Sequence, residues 1–191
     1  TDRVIIVGGG IGGLATALGL AKQNISSIVL EKSKSLGEIG AGIQLGPNAF
    51  QGFDYLGIGD QARKMSVYID NLRLMDAKNG EEISNISLGK SFRERFKNPY
   101  AVVHRGDLHG VLLNACKSSH FIKLQTNSMV LDYQQDRKKV SAILHNNEII
   151  KGIALIGAEG LWSNIRKRLV GDGNPNISGH TTYRSVIPTT E

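Results

Sequence analysis

The stretch that most constrains this chain is RVIIVGGGIGGLATAL, Arg3 to Leu18. A short β-branched run, Arg3 to Val7, stops abruptly at GGGIGG, Gly8 to Gly13. Such a run suits a parallel strand buried on both faces, and the glycines demand a tight turn after it. Apolar residues then recur at Ile11, Leu14, Ala15 and Leu18, a helical stripe whose alanines let the helix sit close to a sheet. A second apolar run, Ser27 to Leu30, is followed by Glu31. The order is strand, glycine turn, helix, strand, acid, and it predicts an α/β fold.

Each part has a chemical reason. Gly8, Gly10 and Gly13 fit the spacing GxGxxG: the first permits the turn, the second lets a pyrophosphate approach the backbone, and the third allows close packing of the helix. Phosphates would sit at the helix N-terminus, where unpaired amides and the helix dipole favour anions. Glu31, at the end of the second strand, is placed to accept hydrogen bonds from a ribose diol. The other reading of the same glycines is a turn that serves packing alone. Nor does the unit separate FAD from NAD, because both carry an adenosine diphosphate half.

Composition narrows the class. The chain has 191 residues, 40% of them hydrophobic, and four prolines, enough for one core and part of a second. Its longest apolar runs, Val4 to Val7 and Ile153 to Ile156, are strand-sized, and no membrane span of about 20 apolar residues is present. The N-terminal apolar run passes straight into glycines, unlike a signal peptide. The single cysteine, Cys116, cannot form an internal disulfide; it fits a cytoplasmic chain and reads as a buried thiol packing as a small hydrophobe. The net charge is +6, but the basic residues are scattered, with short clusters only at Arg137 to Lys139 and Arg166 to Arg168. Without interleaved aromatics they predict a solvated surface that attracts anionic small molecules, and no nucleic-acid face. The five histidines lack metal-ligand spacing, so no metal site is expected.

Further along, GEIGAGIQLGPNAF, Gly37 to Phe50, reads as a glycine-dense loop that lets backbone pass close to a flat ligand. Pro47 then opens a helix carrying Phe50, Phe53 and Leu56 and ending near Gly57. Alternation from Asn71 to Leu88 around Asn79-Gly80 predicts a hairpin, an excursion into a second, antiparallel sheet. In VVHRGDLHGVLLNAC a short strand leads to Arg105, a natural phosphate clamp, and to Asp107 as a helix cap before a stripe of Leu108, Val111, Leu112 and Ala115. Gln125 to Ile150 reads as a small meander. In ALIGAEGLWSNIR, the strand Ile153 to Ile156 ends on a carboxylate, Glu159, between Gly157 and Gly160. Ser163 then caps a helix bearing Ile165 and Leu169 and closed by Gly171.

Taken together, GGGIGG with Glu31, GAGIQLGPNA, HRGDLH and GAEGLWSNIR resemble the single-component FAD-dependent aromatic hydroxylases, the group A flavoprotein monooxygenases, in the same order over nearly the whole chain. The resemblance implies a Rossmann-like FAD-binding domain of the GR2 type, with a β-meander, plus the beginning of an antiparallel-sheet substrate domain. On that pattern residues 1–70 and 101–177 form the FAD-binding domain, 71–100 reach into the substrate-domain sheet, and 178–191 begin the substrate domain. The implied reaction uses FAD reduced by NADH or NADPH. Reduced flavin captures O2 as a C4a-hydroperoxide, whose distal oxygen passes to the ring of a phenolic aromatic acid such as 3-hydroxybenzoate. A deprotonated phenol is the more electron-rich acceptor, so a positioned base would promote attack.

Carried over residue by residue, the resemblance gives Gly8, Gly10 and Gly13 to the FAD pyrophosphate and Glu31 to the adenosine ribose, with Lys32 beside it. Arg105 matches an arginine that reaches the FAD phosphates, Val130 a position that meets the adenine side through its backbone, and Gln44 one that approaches the flavin or substrate. Gly157, Glu159, Gly160, Ser163 and Arg166 occupy the family's DG motif, associated with both FAD and NAD(P)H. Tyr183 and Arg184 match a Tyr-Arg pair, and no catalytic residue is assigned.

Two departures stand out. Glu159 replaces the usual aspartate, which moves the carboxylate by about one methylene, and a misplacement of roughly 1 Å can cost as much as 100-fold where geometry controls a step. The chain also ends at Glu191, before the family's GD motif, most of the substrate pocket and the expected base, and so it reads as the N-terminal half of a longer protein. Standing alone, its open strand edges would favour association into a homo-oligomer. A noncatalytic FAD-binding module and a simple NAD-dependent dehydrogenase are the competing readings; the second has no evident place for the DG-like segment or for GAGIQLGPNA.

Overall fold

The first strand, β1 (Val4–Val7), is buried at every position, as a strand covered on both faces must be. A computed structural model describes residues 2–37 and 41–183, which fall into two units: residues 2–37 with 109–183, and residues 41–108.

In the first unit the glycine turn leads into α1 (Ile11–Lys22) and the chain returns through β2 (Ser27–Leu30), parallel to β1 and in register from Val4 opposite Ser27 to Val7 opposite Leu30. The helix buries Leu14, Ala17 and Leu18 against the sheet. Of the expected stripe Leu14 and Leu18 are buried, Ile11 and Ala15 are only partly covered, and Ala17 faces inward in place of Ala15.

The second unit begins with β3 (Gly42–Leu45), so part of the segment expected as a loop is a strand; Glu38 to Gly40, in the same segment, lie outside the described residues. Next comes α2 (Pro47–Leu56), with Pro47 in its first turn and Gly57 in the left-handed region at its end, as expected. It buries Phe50 and Phe53, whose rings meet edge to face at 6.2 Å. After α3 (Gly59–Lys64) and the two-residue β4 (Val67–Tyr68), the chain forms the hairpin β5 (Asn71–Met75) and β6 (Glu82–Ser87). The hairpin is antiparallel as expected, but its connection is longer than a two-residue Asn-Gly turn. The Asp76 carboxylate accepts from the Lys78 N–H at 2.7 Å, and of Asn79 and Gly80 only the glycine has positive φ. Both strands are exposed throughout. Then α4 (Lys90–Phe96) leads to β7 (Ala101–His104), which pairs antiparallel with β3 on one side and β4 on the other.

Helix α5 (Arg105–Lys117) follows without a break. Arg105 is its first residue, so Asp107 lies within the first turn, where its charge suits the helix dipole, and is not the N-cap. Its buried positions are Leu108, His109, Leu112, Leu113 and Cys116; Val111 and Ala115, expected on the inner stripe, are only partly covered.

Back in the first unit, β8 (Ile122–Gln125) is a fourth parallel strand, unanticipated from sequence, lying beside β2. The meander is as expected: β9 (Val130–Gln135), β10 (Val140–Leu144) and β11 (Ile149–Gly152), antiparallel with β10 central. Finally β12 (Ala154–Gly157) joins the parallel sheet beside β1, giving the order β12-β1-β2-β8, and a 3₁₀ turn at Gly160–Trp162 leads to α6 (Asn164–Val170). One face of the parallel sheet, with Ile5, Val7, Ile28 and Leu30, packs on Val140, Ala142, Leu144 and Ile150 of the meander and on Ile165 of α6. Helix α6 bears Ile165 and Leu169 as expected, and of the two only Ile165 is buried. The result is a sheet covered by the meander on one face and by α1 on the other.

Candidate functional site

The carboxyl ends of the parallel strands β1, β2 and β12 gather Gly8, Glu31 and Glu159, three of the residues that the sequence singles out. Open α/β sheets bind ligands at this edge. Gly8, at the end of β1, has φ of +107°, and a Cβ there would lie 2.4 Å from the Ala158 carbonyl oxygen just beyond β12. Its N–H donates to the Leu30 carbonyl at 2.8 Å. A Cβ on Gly13 would lie 1.9 Å from the Gly8 carbonyl oxygen, so the first turn of α1 is pressed directly onto the glycine turn. The N-cap of α1 is Gly10, which offers no side-chain partner, and no acidic residue stands in the first turn. The amides of this helix end are thus left to a ligand or solvent.

Glu31 closes one side. Its Oε2 accepts from the Gly9 N–H at 2.7 Å and its Oε1 from the Ser33 N–H at 2.8 Å. Burial alone would raise its pKa; the Ser33 and Gly9 amides, the Ser33 hydroxyl and the neighbouring Lys32 charge outweigh this, and the net effect is a carboxylate held below its ordinary range. The exposed Lys32 therefore acts on the site by charge. Residues after β8 wrap the same corner: Ser128 N–H donates to the Glu31 carbonyl and Asn127 N–H to that of Ser33, both at 2.8 Å. Val130 follows, its side chain buried in the core, which leaves its main chain as the part available to a ligand.

Sequence reasoning missed two members of this site. Gly9, outside the GxGxxG spacing, gives its amide to Glu31, and His109 of α5, which is 2% exposed, places Nε2 2.8 Å from the Gly9 carbonyl oxygen. The two residues lie 100 positions apart, and no local pattern signals their meeting. Between Gly9, Gly10, Glu31, Ser33, Leu36 and His109 lies an open pocket of about 140 Å³. That is smaller than a whole small-molecule site, roughly 300–1,000 Å³, and suits one segment of an extended dinucleotide. The site combines a turn free of side chains, a helix N-terminus and a carboxylate. These fit the pyrophosphate and ribose of FAD.

Glu159 stands on the neighbouring strand end, directly after Ala158, whose N–H donates to the Val7 carbonyl at 2.7 Å. Its Oε2 accepts from the Ser163 hydroxyl at 2.6 Å and from the Ile165 N–H at 3.0 Å. Ser163, the N-cap of α6, accepts in turn from the Arg166 N–H at 3.0 Å. The carboxylate thus serves as a second cap of α6. The sequence anticipated Ser163 in this role but not Glu159. The Arg166 guanidinium pairs with Asp172.

Gln44 and Arg105 belong to the other unit. Gln44 sits on β3, where its side-chain oxygen accepts from the Tyr100 hydroxyl at 2.8 Å. Arg105, exposed at the start of α5, donates its main-chain N–H to the Ala41 carbonyl at 3.0 Å. Tyr183 is exposed, and Arg184 lies outside the described residues. Among the described residues no group of three or more His, Cys, Asp or Glu side chains is arranged to hold a metal ion, and no helix is long and apolar enough to cross a membrane.

Known proteins resemble this chain throughout. It is 53% identical to 3-hydroxybenzoate 6-hydroxylase 1 of Aquipseudomonas alcaligenes over 98% of its own length and 48% of that protein's. It is 45% identical to the 3-hydroxybenzoate 6-hydroxylase of Klebsiella oxytoca, over 97% of this chain and 46% of that one. The chain therefore spans about half the length of the curated relatives it matches. Among solved structures, Klebsiella pneumoniae HpxO complexed with FAD and uric acid superposes with a TM-score of 0.77 at 27% identity, covering 89% of this chain and 42% of that one. The fold is shared too with p-nitrophenol 4-monooxygenase PnpA of Pseudomonas putida DLL-E4, with a TM-score of 0.79 at 21% identity over 88% of this chain and 43% of that one. The FAD binding domain family matches residues 1–184, and the chain belongs to that family.

Proposed function

We propose that this chain is the FAD-binding portion of an FAD-dependent, NAD(P)H-driven monooxygenase that hydroxylates a phenolic aromatic acid such as 3-hydroxybenzoate. The observation that carries the reading is the 45–53% identity to 3-hydroxybenzoate 6-hydroxylases across nearly the whole chain. When bound, FAD supplies the passage of electrons from NADH or NADPH and the activation of O2. The chain's own residues bind and orient it. Gly8, Gly10 and Gly13 admit the pyrophosphate to the amides at the start of α1, and Glu31 accepts the ribose hydroxyls through lone pairs that the Gly9 and Ser33 amides leave unused. Lys32 tunes that carboxylate, Arg105 reaches the phosphates, Val130 meets the adenine side through its main chain, and Gln44 approaches the flavin or substrate. Glu159, by capping α6, sets the backbone between Gly157 and Ser163 that faces FAD and NAD(P)H.

Residues 71–100 belong, on this reading, to the substrate-domain sheet, and the exposed faces of β5 and β6 support it; of the segment 178–191 assigned with them, residues 184–191 lie outside the described residues. A buried free thiol suits a reducing compartment, and we place the protein in the cytoplasm. The open strand edges suit a homo-oligomer.

The test is oxidation of NADH or NADPH by the FAD-loaded intact protein, with and without 3-hydroxybenzoate. Stimulated oxidation, O2 consumption and a dihydroxybenzoate bearing its new hydroxyl para to the first are expected. Oxidation that no phenolic acid stimulates, with FAD bound, refutes the hydroxylase and leaves the noncatalytic module. Glu159, committed to a helix cap, is the observation that favours that second reading.

A further inference from the structure

None of the roles above uses His109, although it is one of only three buried polar side chains among the described residues. Its ring lines the pocket and its Nε2 lies 2.8 Å from the Gly9 carbonyl oxygen. A carbonyl oxygen can only accept, so Nε2 carries the proton and donates. We infer that His109 is a positioning residue for the pyrophosphate: it anchors the peptide joining Gly9 to Gly10 so that the Gly10 amide is held toward the ligand. The inference rests on the FAD reading above.

The argument is geometric. In a trans peptide the carbonyl and the following N–H point in opposite directions, so fixing the Gly9 oxygen fixes the Gly10 N–H as well. A peptide between two glycines has the least intrinsic restraint on its orientation, and a helix N-terminus binds an anion only if its first amides stay aimed. The turn is restrained from both sides of Gly9: Glu31 holds its N–H at 2.7 Å and His109 holds its carbonyl. The anchor is itself fixed. Farther along α5, the Cys116 thiol reaches the Leu14 carbonyl of α1 at 3.5 Å, so α5 runs beside the helix whose N-terminus it helps to aim.

The experiment measures FAD binding to the flavin-stripped intact protein by fluorescence quenching, with ADP as a competitor that carries the pyrophosphate without the flavin. His109→Leu removes the donor, and His109→Gln returns an N–H near the imidazole Nε2. Losing one such hydrogen bond is expected to weaken FAD and ADP alike by about tenfold in the leucine variant, and glutamine is expected to restore most of it. Riboflavin, which has no phosphate, should bind every variant as it binds the parent. A general loosening of the fold would instead weaken all three ligands. Equal FAD affinity in parent and leucine variant overturns the inference, as does equal loss in leucine and glutamine variants. If the leucine variant fails to fold, His109→Asn replaces it: its amide stops short of the Gly9 carbonyl, so an affinity equal to that of His109→Gln overturns the inference. A parent protein that binds neither FAD nor ADP overturns the FAD reading itself, a result separable from the others.

Discussion

Neighbouring glycines in the first turn of α1 should respond oppositely to the same methyl group. A Cβ at Gly13 would stand 1.9 Å from the Gly8 carbonyl oxygen and 3.1 Å from its carbon, whereas real Cβ contacts essentially never fall below 3.0 Å. The helix must therefore retreat by at least 1.1 Å, the difference between 3.0 and 1.9 Å, because the obstacle is backbone. Retreat pulls Leu14, Ala17 and Leu18 away from the sheet, and a gap of about 0.5–1 Å forfeits a quarter to a half of each dispersion contact. With the strain of any incomplete movement, Gly13→Ala is expected to cost about 2–4 kcal/mol. At Gly12 nothing lies within 4 Å of the added carbon, and the residue is exposed within the helix. There alanine gains helix propensity, about 0.5–1 kcal/mol. Thermal unfolding of the flavin-free protein, followed by far-UV circular dichroism, should place Gly13→Ala roughly 5–15 °C below the parent and Gly12→Ala roughly 1–3 °C above it. If the two variants melt together, the close contact between α1 and the glycine turn is not what makes Gly13 necessary.

Other substitutions probe the polar frame. Glu31→Gln turns one acceptor oxygen into a donor facing a main-chain N–H and should destabilise the flavin-free protein by about 1.5–3 kcal/mol at neutral pH. Because the folded-state pKa of Glu31 is depressed, its contribution is complete above the unfolded value and is lost as pH falls through the folded one; a parent–variant difference that stays constant into the acid range contradicts this. Burial pushes the Cys116 thiol up to about 12, so it should resist alkylation in the native protein at mildly alkaline pH and react quickly once denaturant is added; rapid native labelling would place the thiol elsewhere. Glu159→Asp draws the carboxylate back from Ser163 and the Ile165 amide and should cost about 0.5–2 kcal/mol in urea unfolding, although aspartate is the residue that the family resemblance leads one to expect there; an equally stable variant would show that Ser163 caps α6 unaided.

The parts that were legible in the sequence are those whose cause is local. The β-branched run, the glycines and the acid at Glu31 sit within 31 residues and define β1, α1, β2 and the turn between them. Pro47 and Gly57 bracket α2, and Ser163 and Gly171 bracket α6, because capping is decided by a residue and its neighbours within one turn. What failed depended on partners distant in sequence. Strand β8 carries Lys123 and Gln125, and only its place beside β2 makes it a strand of the parallel sheet. The inner face of α5 was misjudged by one position. There His109 satisfies its polarity on the Gly9 carbonyl and can be buried, and the inner face includes Leu113 and Cys116 where Val111 and Ala115 were expected.

The two carboxylates at the sheet edge show why location is easier to read than role. Glu31 and Glu159 each stand just beyond a parallel strand and each accepts from main-chain amides, yet the use of their oxygens differs. Glu31 spreads its two bonds over both oxygens, to Gly9 and Ser33, and every oxygen keeps a lone pair for a ribose hydroxyl. Holding the turn is thus compatible with the proposed hold on a sugar, for which the two amide bonds would fix the carboxylate in advance. Glu159 directs both of its bonds to Oε2 and toward the start of α6, so its extra methylene relative to aspartate supplies the reach a helix cap requires. A sequence reports an acid after a strand in both cases. Which amides lie within reach of each carboxylate is settled by packing, and that reach decides whether its bonds are spread over both oxygens, as at Glu31, or gathered on one at the start of a helix, as at Glu159.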